Sequence, residues 1–344
     1  MSSTSEGIKP ATLSMDHIWQ LGFGFWSSKS LLSAVELGVF TALSDGPLDA
    51  EDLRQRLNIS ERSARDFFDV LVSLRLLERD EGRYANTRET NHFLDRNKSG
   101  YIGGILEMCS VRLFGFWASL TEGLRTGKPQ SEARSGKTIY DMVYSNPELV
   151  EPFVSAMTGY SQGTAIALAT KFAWRNYRSF ADIGTAQGAI PVRIALTHLH
   201  LSGVGFDLPP VRGAFERYVA RNGVSDRITF QPGDFFADSM PSADVLIMGH
   251  ILHNWALDTR KTLLRRAYEV LPQGGALIVY ESLIDDDRRT HTVGLLQALN
   301  MMIETEHGSN FTGAECQSWM HEAGFRDLQV EHLNGSDWMV VALK

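Results

Sequence analysis

From Ser179 onward, short apolar runs alternate with longer segments of helical period. The runs "SFADIG", "SGVGFDLP", "RITFQPGDFF", "ADVLIMGHIL", "GALIVYESLI" and "SDWMVVALK" are rich in β-branched and aromatic residues and predict strands. Between them, "GAIPVRIALTHL", "PVRGAFERYVARNG", "DTRKTLLRRAYEVLP" and "TGAECQSWMHEAGF" predict helices. Alternation of this kind predicts an α/β fold with a doubly wound, mostly parallel sheet over residues 179–344. Ligands of such sheets bind beyond the carboxyl ends of the strands. Those ends are Asp182–Gly188, Asp207, Asp234, Gly249–Asn254 and Glu281.

The first part of the chain has a different pattern. "SKSLLSAVELGVFTALSDG" places Leu31, Val35, Leu37, Val39, Phe40 and Leu43 along one side of a helix and its end, closed by Asp45 and Gly46. "PLDAEDLRQRLN" and "SERSARDFFDVLVSLRLLERD" predict two further helices, opened by Asp49 and Ser60 as capping residues. "LLERDEGRYANT" predicts two short strands around Glu81-Gly82. Three helices and a hairpin make a mostly helical winged-helix domain over residues 15–100. Residues 1–14 are polar and predict a disordered lead-in. Residues 101–178 predict a helical linker rich in Phe, Met and Trp, which suits core packing or the wall of a substrate pocket.

Composition removes several function classes. The chain has 344 residues, 43% hydrophobic and 22% charged, with a net charge of −8. That length accommodates about two domains. Winged helices often bind DNA, but Asp45 to Arg83 carries ten acidic against seven basic side chains, a local net charge of −3. Such a surface lacks the basic excess that neutralises phosphates, so packing or dimerisation is the expected role. Neither nucleic acid nor a membrane is an expected partner. No apolar run approaches the roughly 18 residues of a membrane span, and the N-terminus has no signal-peptide core. Cys109 and Cys316 show no metal spacing and read as thiols of a reducing cytoplasm. No metal is expected.

The candidate chemistry starts at "DIGTAQG". The dinucleotide fingerprint G-x-G-x-x-G needs glycines for close approach to a pyrophosphate. Here Gly184 is followed by Ala186 and Ala189 where that pattern wants glycine, leaving D-x-G-x-x-x-G from Asp182 through Gly184 to Gly188. Asp207, ending the next strand, suits a ribose hydroxyl pair. A ribose without a pyrophosphate suggests a nucleoside with an amino-acid tail. The loop, Asp207 and "GDFF" together resemble the class I S-adenosylmethionine-dependent methyltransferases, whose catalytic domain is Rossmann-like. "MGHILHNWALDTRKTLLRRAYEVLPQGGALIVYES" is similar to the small-molecule O-methyltransferase family of plants and bacteria, in which the stretch reads L-H-D-W, a helix, L-x-P-G-G and a strand ending in Glu. "EPFVSAM" resembles its F-x-x-A-M helix. The winged helix resembles the family's intertwined dimerisation domain. The resemblance covers about residues 15–344.

This resemblance implies S-adenosylmethionine as cofactor and a homodimer. It implies that the loop from Asp182 and Gly184 to Gly188 meets the cofactor's methionine end, that Asp207 and Leu208 hold ribose and adenine, and that Asp234 and Phe235 border the adenine. His253 matches the general base, and Glu281 one of two acids flanking it. Phe153, Met157, Trp255, Met301 and Met302 are candidates for the acceptor pocket wall. The chain departs from the pattern at three positions. Asn254 follows the histidine where Asp is usual. Asn310 stands at the second flanking acid. Gly249 stands where plant members carry a cofactor-contacting Lys. Either asparagine reaches substrate or weakens the base. His250 reads as structural.

Methyl transfer from a sulfonium is an in-line displacement in which positioning supplies much of the rate. A phenol, with a pKa of about 10, is a poor nucleophile at neutral pH, while an imidazole near 6.5 can take its proton. O-methylation of a phenolic hydroxyl on a small aromatic metabolite is the leading expectation. The alternative is C-methylation ortho to a phenol, on a hydroxylated aromatic amino acid or anthranilate-like ring. A fold relative that binds the cofactor without transferring methyl is a third reading. The missing glycines speak against a NAD dehydrogenase.

Overall fold

The computed structural model describes residues 13–344; residues 1–12, most of the expected lead-in, lie outside the described residues. Two compact units divide between Tyr101 and Ile102.

In the first unit the expected single helix is two. Helix Gly24–Leu37 stops at Gly38, which takes a left-handed φ of 75°, and a short helix Val39–Ala42 follows. The break resets the buried face: Val35, Val39, Phe40 and Leu43 are buried and Leu31 half-buried, but Leu37 is exposed. Asp49 caps helix Ala50–Leu57 by accepting the N–H groups of Glu51 and Asp52 at 3.0 and 2.9 Å. Ser60 sits at the N-cap of helix Glu61–Ser73, yet its side chain makes no cap bond, contrary to expectation. Only its carbonyl is used, accepting the N–H groups of Ser63 and Ala64. Three short strands complete the winged helix: β1 (Leu48–Asp49), β2 (Leu77–Asp80) and β3 (Arg83–Asn86), in the order β1-β3-β2. Glu81 and Gly82 both have positive φ (44° and 79°). This pairing is that of a tight hairpin turn whose twist matches its strands. Strand β1 was not expected, because two residues are too few to show a period.

The second unit holds a seven-stranded sheet in the order β6-β5-β4-β7-β8-β10-β9. Its strands are β4 (Ser179–Ile183), β5 (Ser202–Asp207), β6 (Ile228–Pro232), β7 (Val245–Gly249), β8 (Ala276–Glu281), β9 (Arg326–Asn334) and β10 (Asp337–Leu343). Strands β4 to β8 are parallel, and β10 runs antiparallel between β8 and β9. Helices cover both faces. Helices Pro147–Lys171, Ala189–Thr197 and Arg212–Arg221 bury Val154, Leu168, Ile194 and Phe215 on one. Helices Leu257–Val270 and Gly313–Glu322 bury Leu263, Leu264, Cys316 and Met320 on the other. Every residue of β8 is buried, as expected of a strand covered on both faces.

Two elements lack a signal in the sequence pattern. Strand β9 lies at the sheet edge and is mostly exposed, so its charges mask any alternation. Helix Thr292–Glu304 is apolar almost throughout and shows little period. In the linker, helix Gly103–Met108 passes through a wider π-turn, Cys109–Leu113, before Phe114–Trp117 and Leu120–Thr126. No helix among the described residues is long and apolar enough to cross a membrane. The chain runs from β4 outward to β6, then returns to β7 on the other side of β4. The crevice between β4 and β7 is therefore the switch point where such sheets bind ligands.

Candidate active site

At the β4–β5 end the site is built mainly by backbone. After Asp182 the chain turns through Gly184 (φ 73°), Ala186 (φ 49°) and Gly188 (φ 96°) into helix Ala189–Thr197. A Cβ on Gly184 would fall 2.4 Å from Ile251 Cδ1, and one on Gly188 2.8 Å from Phe215 Cε2. Both positions thus need glycine for conformation and for space. Gly184 donates its N–H to Phe206 O at 2.8 Å. Asp207, 8% exposed, ties the turn to β5: one oxygen accepts Ala186 N–H and the other Leu208 N–H, each at 2.8 Å. Each oxygen keeps a further lone pair, so the carboxylate can accept a vicinal hydroxyl pair. Burial pushes the Asp207 carboxyl up to about 6, with the two N–H groups pulling it back. Burial also pushes Asp182 up to about 7.

The turn after β6 joins the same place. Gly233 donates to Asp207 O at 2.9 Å. Half-buried Asp234 accepts Phe236 N–H at 2.8 Å, and half-buried Phe235 stands edge-on to Trp255 at 6.2 Å. Leu208 is half-buried beside Asp207. Asp182, Gly184, Gly188, Asp207, Leu208, Asp234 and Phe235 are therefore brought to one strand edge. A buried carboxylate with spare lone pairs beside a tight glycine turn fits the nucleoside of S-adenosylmethionine.

The β7–β8 end is built by side chains. His253 lies in the short helical turn Leu252–Asn254 after β7 and is 6% exposed. Its Nδ1 is 2.5 Å from Glu281 Oε2, and its backbone N–H donates to Oε1 at 3.2 Å. Glu281 ends β8 and is 1% exposed. Burial alone would raise its carboxyl, but His253 and His250 outweigh it and hold it down at about 2. A carboxylate that accepts from Nδ1 fixes the tautomer and leaves Nε2 as the proton acceptor.

Around this pair the remaining positions have distinct jobs. Asn254 donates its amide to the carbonyls of His250 and Ile251 at 2.9 and 3.3 Å, closing its own turn. Asn310 donates to Ser282 O at 2.8 Å, and its buried Oδ1 has no partner among the described residues. Gly249 faces Tyr280 across β7 and β8, and a Cβ there would fall 1.8 Å from the ring. A tyrosine ring thus fills the space a side chain at 249 would enter. Arg260, unmarked in the sequence, is buried and donates to Trp255 O at 2.7 Å and Ser309 O at 2.5 Å, fastening the turn that carries His253 to the Asn310 loop. His250, His253 and Glu281 bring ligand-type atoms within 4.8 Å of one another. Both Nδ1 atoms face the same carboxylate oxygen, so the three side chains form an ion-pair network.

The aromatic and methionine candidates for an acceptor wall come from scattered helices. Half-buried Phe153 stands edge-on to Tyr140 and Tyr144 at 6.3 Å, and Tyr140 stacks on Trp255 at 6.4 Å. Burial raises the Tyr140 hydroxyl, and the charges of Glu304, Asp207 and Glu281 add to it. Tyr140 thus lies in the field of both Asp207 and Glu281, a placement no sequence pattern marked. Met157 is half-buried, Met301 is buried, and Met302 packs on Gly123. Helix Thr292–Glu304 is anchored to the linker by Arg112, which pairs with Glu132 and Glu304, and by Trp117, which donates to Asn300 at 2.9 Å.

Comparison with known proteins agrees with this architecture. Residues 117–326 match the O-methyltransferase domain family, and residues 19–96 match the O-methyltransferase dimerisation domain. The tetracenomycin polyketide synthesis 8-O-methyl transferase TcmO of Streptomyces glaucescens is 40% identical, the match covering 95% of this chain and 96% of that protein. The N,N-dimethyltransferase OxyT of Streptomyces rimosus is 38% identical, over 94% and 95%. The crystal structure of human N-acetylserotonin methyltransferase in complex with S-adenosylmethionine superposes with a TM-score of 0.87 at 27% identity, covering 98% of this chain and 99% of that one. A doubly wound sheet with a glycine turn and a buried strand-end carboxylate, in a chain that also carries a winged-helix domain, is thus found with these sequences, and the chain belongs to the S-adenosylmethionine-dependent O-methyltransferase family.

Proposed function

We propose that this enzyme methylates a phenolic hydroxyl of a small aromatic secondary metabolite, with His253 as general base. The carrying observation is the buried His253–Glu281 pair, with Nδ1 committed at 2.5 Å, which leaves Nε2 to take a proton. Bound S-adenosylmethionine supplies an electrophilic methyl group on a sulfonium. Nε2 takes the hydroxyl proton as the acceptor oxygen becomes nucleophilic. Glu281 holds the ring in register and stabilises the imidazolium that results. Trp255, Phe153 and Tyr140 supply flat apolar walls that orient an aromatic ring and keep water out. TcmO, as an 8-O-methyl transferase of polyketide synthesis, supports a polycyclic phenol as acceptor.

We assign residues 15–100 to dimerisation, 101–178 to the acceptor wall and 179–344 to catalysis. The match at 19–96 supports a homodimer. So do the exposed apolar side chains of Ile18, Trp19, Leu21, Phe25 and Trp26, since monomers seldom leave such a patch uncovered.

A second reading, methylation of an amine, is favoured by the comparable identity to OxyT. The test is titration of the protein with S-adenosylmethionine, then a methyl-release assay over phenols, catechols, polycyclic phenols and aromatic amines. Product NMR separates O–CH3, N–CH3 and ring C–CH3. Release of S-adenosylhomocysteine with a phenol, lost in His253→Ala while cofactor binding persists, is expected. Unchanged turnover in that variant would overturn the assignment of the base.

A further inference from the structure

Behind the base lies a second histidine that proton transfer itself does not use. His250 follows β7 in a left-handed conformation (φ 52°), with its N–H donated to Tyr280 O at 3.0 Å. Its ring lies between two buried carboxylates. Nδ1 is 3.5 Å from Glu281 Oε2, and Nε2 is 3.2 Å from Asp337 Oδ2. Asp337, the first residue of β10, is 5% exposed and accepts hydroxyls from Thr164 at 2.6 Å and Ser282 at 3.0 Å. Tyr160 from the long helix, Tyr280 from β8 and His253 from the same turn face the ring at 5.2, 5.3 and 5.6 Å. One step further out, Asp182 acts on Tyr280 and Arg260 on Glu281.

We propose that His250, set between Glu281 and Asp337, is a positioning residue for the methyl-transfer base: it holds Glu281 against His253 and fixes the charge of the buried cluster. The proposal rests on the reading of His253 as base. Burial favours neutral His250, but Asp337 and Glu281 outweigh it and raise the imidazolium well above 6.5. It is then a cation at neutral pH. Glu281 and Asp337 as carboxylates with one imidazolium leave the cluster one negative charge, and the proton that His253 accepts brings it to zero. Without the cation, two carboxylates stand behind His253. They would bind its proton more tightly and blunt its use as a base. The neutral Asn310, where the family pattern has a second acid, fits the same balance.

The test is His250→Asn, which removes the charge and tolerates a left-handed backbone. Two readouts are followed. The first is the pH profile of kcat/KM for the wild type, His250→Asn and His253→Gln. The second is the titration of histidine ring carbons by NMR in labelled protein without cofactor. In His250→Asn the acid limb and the His253 ring signal are expected to move up by about one pH unit, the effect of a nearby charge. Turnover at pH values below the limb should fall by up to about tenfold and largely return at higher pH. A uniform loss of rate with an unmoved limb and unmoved ring signal would reduce His250 to packing and overturn the proposal. A His253→Gln variant that keeps the wild-type limb would instead overturn the base reading itself. Should His250→Asn fail to fold, Asp337→Asn serves. The His250 signal should then titrate between pH 5 and 8, and a ring that stays charged throughout would overturn the proposal.

Discussion

On the β4–β5 side, Asp207 reaches Ala186, 21 positions away, and its own neighbour Leu208. Gln187 also donates to Glu151 Oε1 at 3.1 Å, across 36 positions, and the turn is otherwise closed largely by backbone bonds. On the β7–β8 side, His253 meets Glu281 across 28 positions, His250 meets Asp337 across 87, and Asp337 meets Thr164 across 173. The first end depends on glycines and one carboxylate within a short stretch of chain. The second exists only once β10 has entered the sheet beside β8 and the long helix has packed over them. With the proposed roles, cofactor binding and base strength are built by separate means, and they can be broken separately.

The largest expected effect divides the two ends outright. His253→Ala should lower kcat by about 10²- to 10⁴-fold, the range for a lost general base, while calorimetry shows S-adenosylmethionine binding intact. The converse is Asp207→Ala. Loss of charged hydrogen bonds of about 1.5–3 kcal/mol should weaken cofactor binding roughly 100-fold, with turnover recovering at high cofactor. The sign of a pH effect sharpens this. A carboxyl raised to about 6 is protonated as pH falls through that value and then loses acceptor capacity. The wild-type Kd for S-adenosylmethionine should therefore weaken by about tenfold per pH unit below 6. A flat Kd from pH 8 to 5 would count against Asp207 as the ribose acceptor. Next in size is Gly249→Ala, whose new Cβ collides with Tyr280. Overpacking of this kind costs about 1–3 kcal/mol, read as a lower melting temperature, and Tyr280→Leu in the same chain should restore part of it. The smallest is Asn310→Ala. If Asn310 only holds Ser282 O, about 1 kcal/mol is lost, seen as a few-fold fall in kcat. A loss as large as that of His253→Ala would place Asn310 in contact with the acceptor.

Much of the fold can be read from the sequence because the strands of the second unit are short, apolar and separated by helices with clear periods. Strand β9 cannot, because an exposed edge strand such as RDLQVEHLN carries charges on both faces. Helix Thr292–Glu304 cannot either, because TVGLLQALNMMIE is apolar on nearly all sides. The same split runs through the site. The loop from Asp182 to Gly188 and Asp207 are legible because one motif and one strand end define them. His253 and Glu281 are legible through the resemblance of their surroundings to a known family. Asp337, Thr164, Arg260 and Tyr140 carry no local mark. Each matters only through a partner distant in sequence, and an isolated Asp before a terminal strand looks like any strand start.

Gly249 and Tyr280 form a volume exchange across two paired strands: one position surrenders its side chain so that the other can bury a ring. A lysine at 249, as in the plant pattern, would need Tyr280 to shrink as well. A chain that changes 249 first meets a collision, and one that changes 280 first opens a cavity beside His250. The two positions are therefore energetically coupled, and the effect of changing one depends on what stands at the other.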